Sequence, residues 1–423
     1  MKTKTLVCVL VIFVFGISIQ YAIADDFDWP RWRGPNGDGI SMETDWDPAA
    51  LAGGPKILWK VDVGTGYSNV AIKDNRLYTM GLKSREWVVF CLNAKTGKKI
   101  WQYPFEDIRD PQSTPTIDEK SVYVLSTEGI LMCLKVKNGK RRWVKDLVNE
   151  YAARVPFYGF AGSPVVAGEL VVLTANSTGM ALNKYTGELV WSSAPPPKER
   201  YPDDSTGIDY STPVVFARGD KQYAIVSGYN GVSSVDVETG EQLWLYDWGK
   251  HPASIGNQVA DPLLFEEKLF IVEYHSLHPG SFLLDIGGND IPKLMWVNRE
   301  SCSNNGSPVA IDGYIHVCQD GIQGGLGSLR CLNAKNGEIL WEEALEGKPI
   351  TLLASEGKLI ILDSQGRLFI AEASPYGYKE ISSCDVLEGE RTLRMFWTPP
   401  VLCNGKIYCR NYTGDLVCID VSK

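Results

Sequence analysis

Eleven residues are written almost identically twice in this chain, CLNAKTGKKIW at 91–101 and CLNAKNGEILW at 331–341. A repeat constrains a fold more tightly than composition does, because each copy is one unit that buries its apolar face on its neighbours. At lower stringency five copies run from Cys91 to Trp101, Cys133 to Trp143, Ala181 to Trp191, Ser234 to Trp244 and Cys331 to Trp341. Each has a small residue, then Thr-Gly or Asn-Gly, then Trp four residues after the Gly. Degenerate copies end at Trp296 and Ile381. The last stretch, DLVCIDV at 415–421, reads as the front half of one more, and its back half is KILWKVDV around Trp59.

A second marker has the same period. Strand-like segments begin near Val70, Pro115, Pro164, Pro213, Pro262, Pro308, Leu352 and Pro400, at steps of 44 to 49 residues, several preceded by Ser or Thr. Each unit then reads as four short β-strands with turn residues between them, and no segment has a helix-length apolar stripe of period 3.6. Thr/Asn-Gly supplies the positive φ of a tight turn, and the Trp is placed to bury its ring against the next unit. Proline at the head of each unit suits an innermost strand with a free edge. The expectation is an all-β, eight-bladed β-propeller with four-stranded antiparallel blades, its ring closed by pairing the N-terminal and C-terminal strands.

The N-terminus sets the compartment. Met1 to Lys4 is short and basic, Leu6 to Ile19 is apolar, and Ala22-Ile23-Ala24 is a small-x-small cleavage site, the pattern of a secretory signal peptide. The predicted layout is a signal peptide over 1–24, a leader over 25–54 packing on the propeller, and the propeller over 55–423. The apolar run is too short to span a membrane, and Cys8 lies inside it, so neither a membrane span nor a lipid anchor is expected. An exported protein, periplasmic or secreted, follows. The net charge of −9 becomes −11 without Lys2 and Lys4. That balance argues against nucleic acid or an anionic membrane as partner. The cations of Lys137–Arg142 read as one solvated hairpin.

The small-x-polar-x-x-Thr-Gly-Lys/Glu-x-x-Trp pattern resembles the tryptophan-docking repeat of the pyrroloquinoline-quinone-like propellers, and does so over nearly the whole mature chain. The leader DWPRWRGPNGDGIS at 28–41 is similar to the N-terminal signature of exported members of that family. The resemblance implies one of two functions. One is quinone-dependent alcohol or sugar dehydrogenation, with pyrroloquinoline quinone and calcium held over the channel. The other is non-enzymatic binding, as in the propeller lipoprotein of the outer-membrane assembly machinery. The chain has no adjacent Cys-Cys pair to form the vicinal disulfide that stacks on the quinone. An exported binding or scaffold protein without cofactor is therefore the expectation, and the dehydrogenase is the alternative.

The candidate site is positional. Residues just before each inner strand ring one mouth of a propeller channel. Here they are Tyr67, Gln112, Arg154, Tyr158 and Tyr210, followed around the circle by Asn257, Gln258, Asn304, Asn305 and Trp397. Amides, hydroxyls, an arginine and aromatics converging on a concavity suit a protein or small-molecule ligand. No catalytic or metal residues are predicted. Glu273, His275 and His278 of EYHSLH lack further ligands, Asp203, Asp204 and Asp209 match no calcium-loop spacing, and GIQGGLG at 321–327 matches no phosphate loop. Cys91, Cys133, Cys331 and Cys418 occupy the small-residue slot as packing residues. Cys318 with Cys331, or Cys409 with Cys418, are the candidate cross-hairpin disulfides.

Overall fold

The computed structural model describes residues 27–107, 109–195, 210–228, 231–247, 260–273, 280–288, 291–303, 306–319, 327–345, 347, 349–387 and 396–423. The predicted signal peptide lies outside them. The chain forms eight four-stranded antiparallel blades in a ring. Blade 1 runs from the axis outward as Ala71–Lys73, Arg76–Lys83, Glu86–Asn93 and Lys99–Phe105. Blades 2 to 7 follow in chain order. Blade 8 takes Val401–Leu402, Lys406–Arg410 and Asp415–Asp420 from the C-terminus and Ile57–Asp62 as its outer strand. Trp59 there stands opposite Cys418, so the ring closes by the predicted pairing. Besides strands there is one short described helix, Leu147–Tyr151, and no described helix is long and apolar enough to cross a membrane.

The small residue of the repeat has a definite job. In blade 1 Cys91 faces Tyr78 on one side and Trp101 on the other. Because the cysteine is short, the two rings meet over it, with centroids 5.7 Å apart. Tyr123 and Trp143 meet over Cys133 at 6.0 Å, and Tyr408 and Trp59 over Cys418 at 5.9 Å. A larger side chain in the slot would part each aromatic pair.

Each Trp then docks on the following blade. The indole N–H groups of Trp59, Trp101, Trp143, Trp191 and Trp296 donate to the carbonyls of Ala94, Val136, Lys184, Val237 and Ala334 at 2.7–3.1 Å. Each acceptor lies three residues before the turn glycine, and the ring rests where that glycine has no Cβ. A Cβ on Gly97 would fall 2.8 Å from Trp59, and one on Gly187 2.8 Å from Trp143. The glycines are required twice, by φ near +70° and by the approach of the ring. Trp244 departs from the pattern because its neighbour's turn is degenerate. Arg218 donates there to the carbonyl of Ile286, and the Trp244 indole N–H has no partner. In blade 7 Ile381 replaces Trp, and it packs against the core cluster that includes Trp46 and Leu51 of the leader, where blade 8 has no continuous turn to offer.

Side-chain oxygens before the inner strands of blades 2 to 6, Ser or Thr in four of them and Asp261 in blade 5, form a belt along the channel. The N–H of Asn69 donates to Thr114 Oγ1 (3.0 Å), that of Thr114 to Ser163 Oγ (2.9 Å), and that of Ser163 to Thr212 Oγ1 (3.0 Å). Thr212 N–H then donates to Asp261 Oδ1 at 2.7 Å, and Asp261 N–H to Ser307 Oγ at 3.0 Å. Every link joins one blade to the next, satisfying an inner-strand N–H that no ladder reaches.

The leader uses the inner edges that the blades leave open. The N–H groups of Ile72, Ile117 and Ala354, on blades 1, 2 and 7, donate to Trp29, Pro30 and Gly39 at 2.7–2.9 Å. Ile40–Ser41 adds a fifth, parallel strand to blade 7. Trp29 on blade 1 and Trp32, bonded to Asp261 just before the inner strand of blade 5, contact opposite sides of the ring, so the leader crosses the axis. It lies at the end where first and second strands turn, since Asp28 pairs with Lys73 and Phe27 bonds Asn404. Trp32 and Arg33 insert from there into the channel. The buried Arg33 guanidinium donates to the carbonyls of Pro308, Asp38 and Gly37 and sits 3.9 Å from Asp261.

All nine described cysteines are free, and register explains why neither candidate disulfide forms. Cys318 faces Leu329 while Cys331 faces His316, so the two are diagonal neighbours, about 7–8 Å apart and beyond disulfide reach. Cys409 faces Val417 and Cys418 faces Tyr408, which puts the pair on opposite faces of the blade.

Candidate functional site at the open mouth

With one end of the channel plugged by the leader, the residues preceding the inner strands surround the other. They form an arc from blade 8 towards blade 4. Trp397 stacks on Tyr67, with centroids 4.9 Å apart and planes 25° apart, and Tyr67 also meets Tyr412 at 4.9 Å. The Tyr67 N–H donates to Pro111 at 2.6 Å, which carries the arc to Gln112. Gln112 Nε2 donates to the carbonyl of Tyr158 at 2.5 Å. The Tyr158 N–H donates to Tyr210 Oη at 3.3 Å, and the two rings lie 5.8 Å apart. Arg154 is half-buried at the foot of the same loop, its N–H bonded to Asn176. Asn257, Gln258, Asn304 and Asn305 lie outside the described residues, as do His275, His278, Asp203, Asp204, Asp209, the Glu273 side chain and 321–326.

Residues that positional reasoning passed over complete the arc. Tyr412 comes from the loop between the second and third strands of blade 8, which ends at the same face as the pre-strand residues. Its hydroxyl donates to Asp110 Oδ2 at 2.8 Å, and Thr65 donates to Oδ1 at 2.6 Å. Burial, and secondarily Asp110, pushes the Tyr412 phenol up to about 12. Arg109 pairs with Glu128 at 2.9 Å and donates to the carbonyl of Phe157 at 2.6 Å. Phe157 and Tyr158 are 55% and 61% exposed and meet edge to face at 4.8 Å.

These two rings stand on a braced loop. The main chain of 157–160 is held by Arg109, Gln112 and Tyr210 and by the bond from Phe160 N–H to Thr127. Beneath the other half of the arc Arg410 is fully buried. It donates to Thr79 Oγ1 and Met80 O at 2.9 Å, to Gly66 O at 3.1 Å, to Gly64 O at 3.2 Å and to Ser68 O. Burial lowers its pKa to about 9. Among the described residues of the arc, Arg109, Glu128, Asp110 and Arg410 are engaged by protein partners, while the rings of Phe157 and Tyr158 reach solvent.

The family model described as outer membrane protein assembly factor BamB matches over 49–260 and again over 113–343, the overlap a repeat produces. Among curated proteins none matches the sequence. Among solved structures, BamB from Moraxella catarrhalis is similar at 18% identity, with a TM-score of 0.62, over 86% of this chain and 97% of that one. Quinohemoprotein alcohol dehydrogenase from Comamonas testosteroni is similar at 13% identity and a TM-score of 0.68, over 93% and 80% of the two chains. A europium-containing methanol dehydrogenase is similar at 13% identity and a TM-score of 0.66, over 92% and 91%. These likenesses are of fold. Together with the docking lattice of tryptophans and glycines, the family match places this chain in the pyrroloquinoline-quinone-like repeat propellers of the BamB family.

Proposed function

We propose that this protein is an exported, non-catalytic scaffold that binds a protein partner at the open mouth of its propeller. The observation that carries the reading is the Phe157–Tyr158 pair. Two exposed aromatic side chains stand on a backbone that three neighbouring side chains already immobilise. Rigid aromatic anchors lose little conformational entropy on binding and dominate the energetics of protein interfaces. The likeness to BamB, named as an assembly factor, supports the same reading.

The residues fit the dehydrogenase alternative poorly. No adjacent cysteines occur in the chain. Among the described residues no three His, Cys, Asp or Glu side chains gather where a metal ion could be held. Tyr67 and Trp397 stack on each other rather than offering two parallel walls to a flat guest.

A photo-crosslinking residue at position 158 tests the proposal in the protein's own compartment. A discrete protein adduct is expected there, lost on Phe157→Ala and absent when the crosslinker stands at Tyr376 on the rim. Alcohol- or sugar-dependent dye reduction by purified protein with quinone and calcium would overturn the scaffold reading, as would the absence of any adduct specific to position 158.

A further inference from the structure

Two neighbouring turns of this acidic chain carry only cations. The Thr-Gly turn of blade 1 presents Lys95, Lys98 and Lys99, and the Asn-Gly turn of blade 2 presents Lys135, Lys137, Lys140, Arg141 and Arg142, all exposed. No Asp or Glu occurs in 87–105 or 129–145. The ion pairs of this part of the molecule fall elsewhere, at Lys73–Asp28, Lys83–Asp62, Arg109–Glu128 and Lys145–Glu150. The nearby Asp118 is held by Lys184 at 2.8 Å.

Tertiary structure makes these turns one surface. Trp101, next to Lys99 and Ile100, lies on Gly139 and donates to Val136 O at 2.9 Å, which fixes the blade 2 turn against the outer strand of blade 1. Trp143 likewise lies on Gly187 and brings up the blade 3 turn. Two apolar side chains stand out at this corner, Ile100 at 42% and Tyr185 at 54% exposure. Whole-chain charge is a poor guide to such a surface, since screening limits each charge to about 8 Å in physiological salt.

From this geometry we infer that the corner formed by the turns of blades 1 and 2, with Tyr185 of blade 3 at its edge, docks on an anionic lipid surface. A lipid surface demands no complementary shape, so exposed cationic turns suffice to meet it. Long cationic side chains reach headgroup phosphates, while an isoleucine and a tyrosine suit the boundary between headgroup and acyl chain. The turns lie on the leader-covered side, so the docked propeller would hold its aromatic mouth away from the lipid. The inference does not depend on what the mouth binds.

Co-sedimentation of the purified protein lacking residues 1–24 with vesicles tests this, because the apolar run from Leu6 to Ile19 would bind any bilayer. Binding is expected to phosphatidylcholine vesicles containing phosphatidylglycerol, not to phosphatidylcholine alone, and to be reversed by high salt. Each cation removed should lower partitioning roughly fivefold, so K137E/K140E/R141E should all but abolish it at an unchanged melting temperature. A second variant, K95Q/K98Q, should lose a smaller share and guards against misfolding of the first. Equal binding to neutral vesicles, or variants that partition like the parent, would overturn the inference. So would capture by polyglutamate without vesicle binding, which would mark an acidic protein as the occupant.

Discussion

Trp32 and Asp261, 229 residues apart in sequence, share a 2.6 Å hydrogen bond from indole N–H to carboxylate inside the channel. Asp261 is also a link of the belt, accepting from Thr212 N–H on one oxygen and from Ser307 Oγ on the other at 2.9 Å. This carboxylate joins the leader to two neighbouring blades, beside the backbone ties that the leader makes to the inner strands. Both of its oxygens face donors, so an amide in its place must turn its NH2 towards a donor. Asp261→Asn, nearly isosteric, should cost about 2–3 kcal/mol in chemical denaturation. Trp32→Phe, which removes one donor and keeps an aromatic ring in place, should cost less. Equal losses would show that packing rather than the carboxylate holds the leader.

The double demand on the turn glycines separates two alanine substitutions. Gly313 has φ +82° and nothing within 4 Å of an added Cβ, whereas Gly187 has φ +74° with Trp143 in the way. Gly313→Ala should cost about 1–2 kcal/mol from left-handed backbone alone. Gly187→Ala should add an overpacking penalty of roughly 1–3 kcal/mol. Urea midpoints of the two variants measure the difference.

Arg410 is the seam between blade 8 and blade 1, and its five acceptors are four carbonyls and the Thr79 hydroxyl of the neighbouring blade and its approach loop. Arg410→Lys keeps the charge but replaces a planar fork by a single point. It should lose about 3 kcal/mol or more, comparable to breaking a buried charge network. Arg410→Met withdraws the guanidinium donors from the carbonyls but buries no charge, and its loss should be no larger. A lysine variant as stable as the parent would remove Arg410 from the closure of the ring.

His316 supplies a pH dependence. Its ring is buried beside Trp341, with centroids 5.9 Å apart, and burial pulls its pKa from 6.5 to about 4. Below pH 6.5 the unfolded chain takes up a proton that the folded chain refuses until about pH 4, so stability falls as pH drops through that window. The loss is at most about 3 kcal/mol. Glu43 and Asp363, raised by burial, act in the opposite sense in acid. The comparison is therefore between proteins: His316→Leu should show a flatter fall in melting temperature over this range than the parent does.

The number of blades, their boundaries and the strand that closes the ring were legible in the chain, because Trp, Gly and the small residue recur at one period. Even the divergent copies ending at Trp296 and Ile381 could be counted, since the strand pattern around them keeps its spacing. The physical reason is that a blade is a local object. Its turns and alternating faces are set by residues within about fifty positions of one another, and a motif of that span records them directly.

What the small residue and the hydroxyl before each proline do could not be read this way. Cys91 matters because Tyr78 and Trp101 meet over it, and Thr114 because it receives an N–H from the preceding blade. Both are facts about neighbours in space. The same holds for the mouth, where Tyr412 joins the arc from a loop that positional logic had not considered and bonds Asp110, two residues before Gln112. It holds again for the basic corner, where turns forty residues apart sum into one surface. The sequence by itself determined the unit and how many times it is repeated. Only closing the ring decided which loops share a face, because that depends on eight blades being brought around one axis.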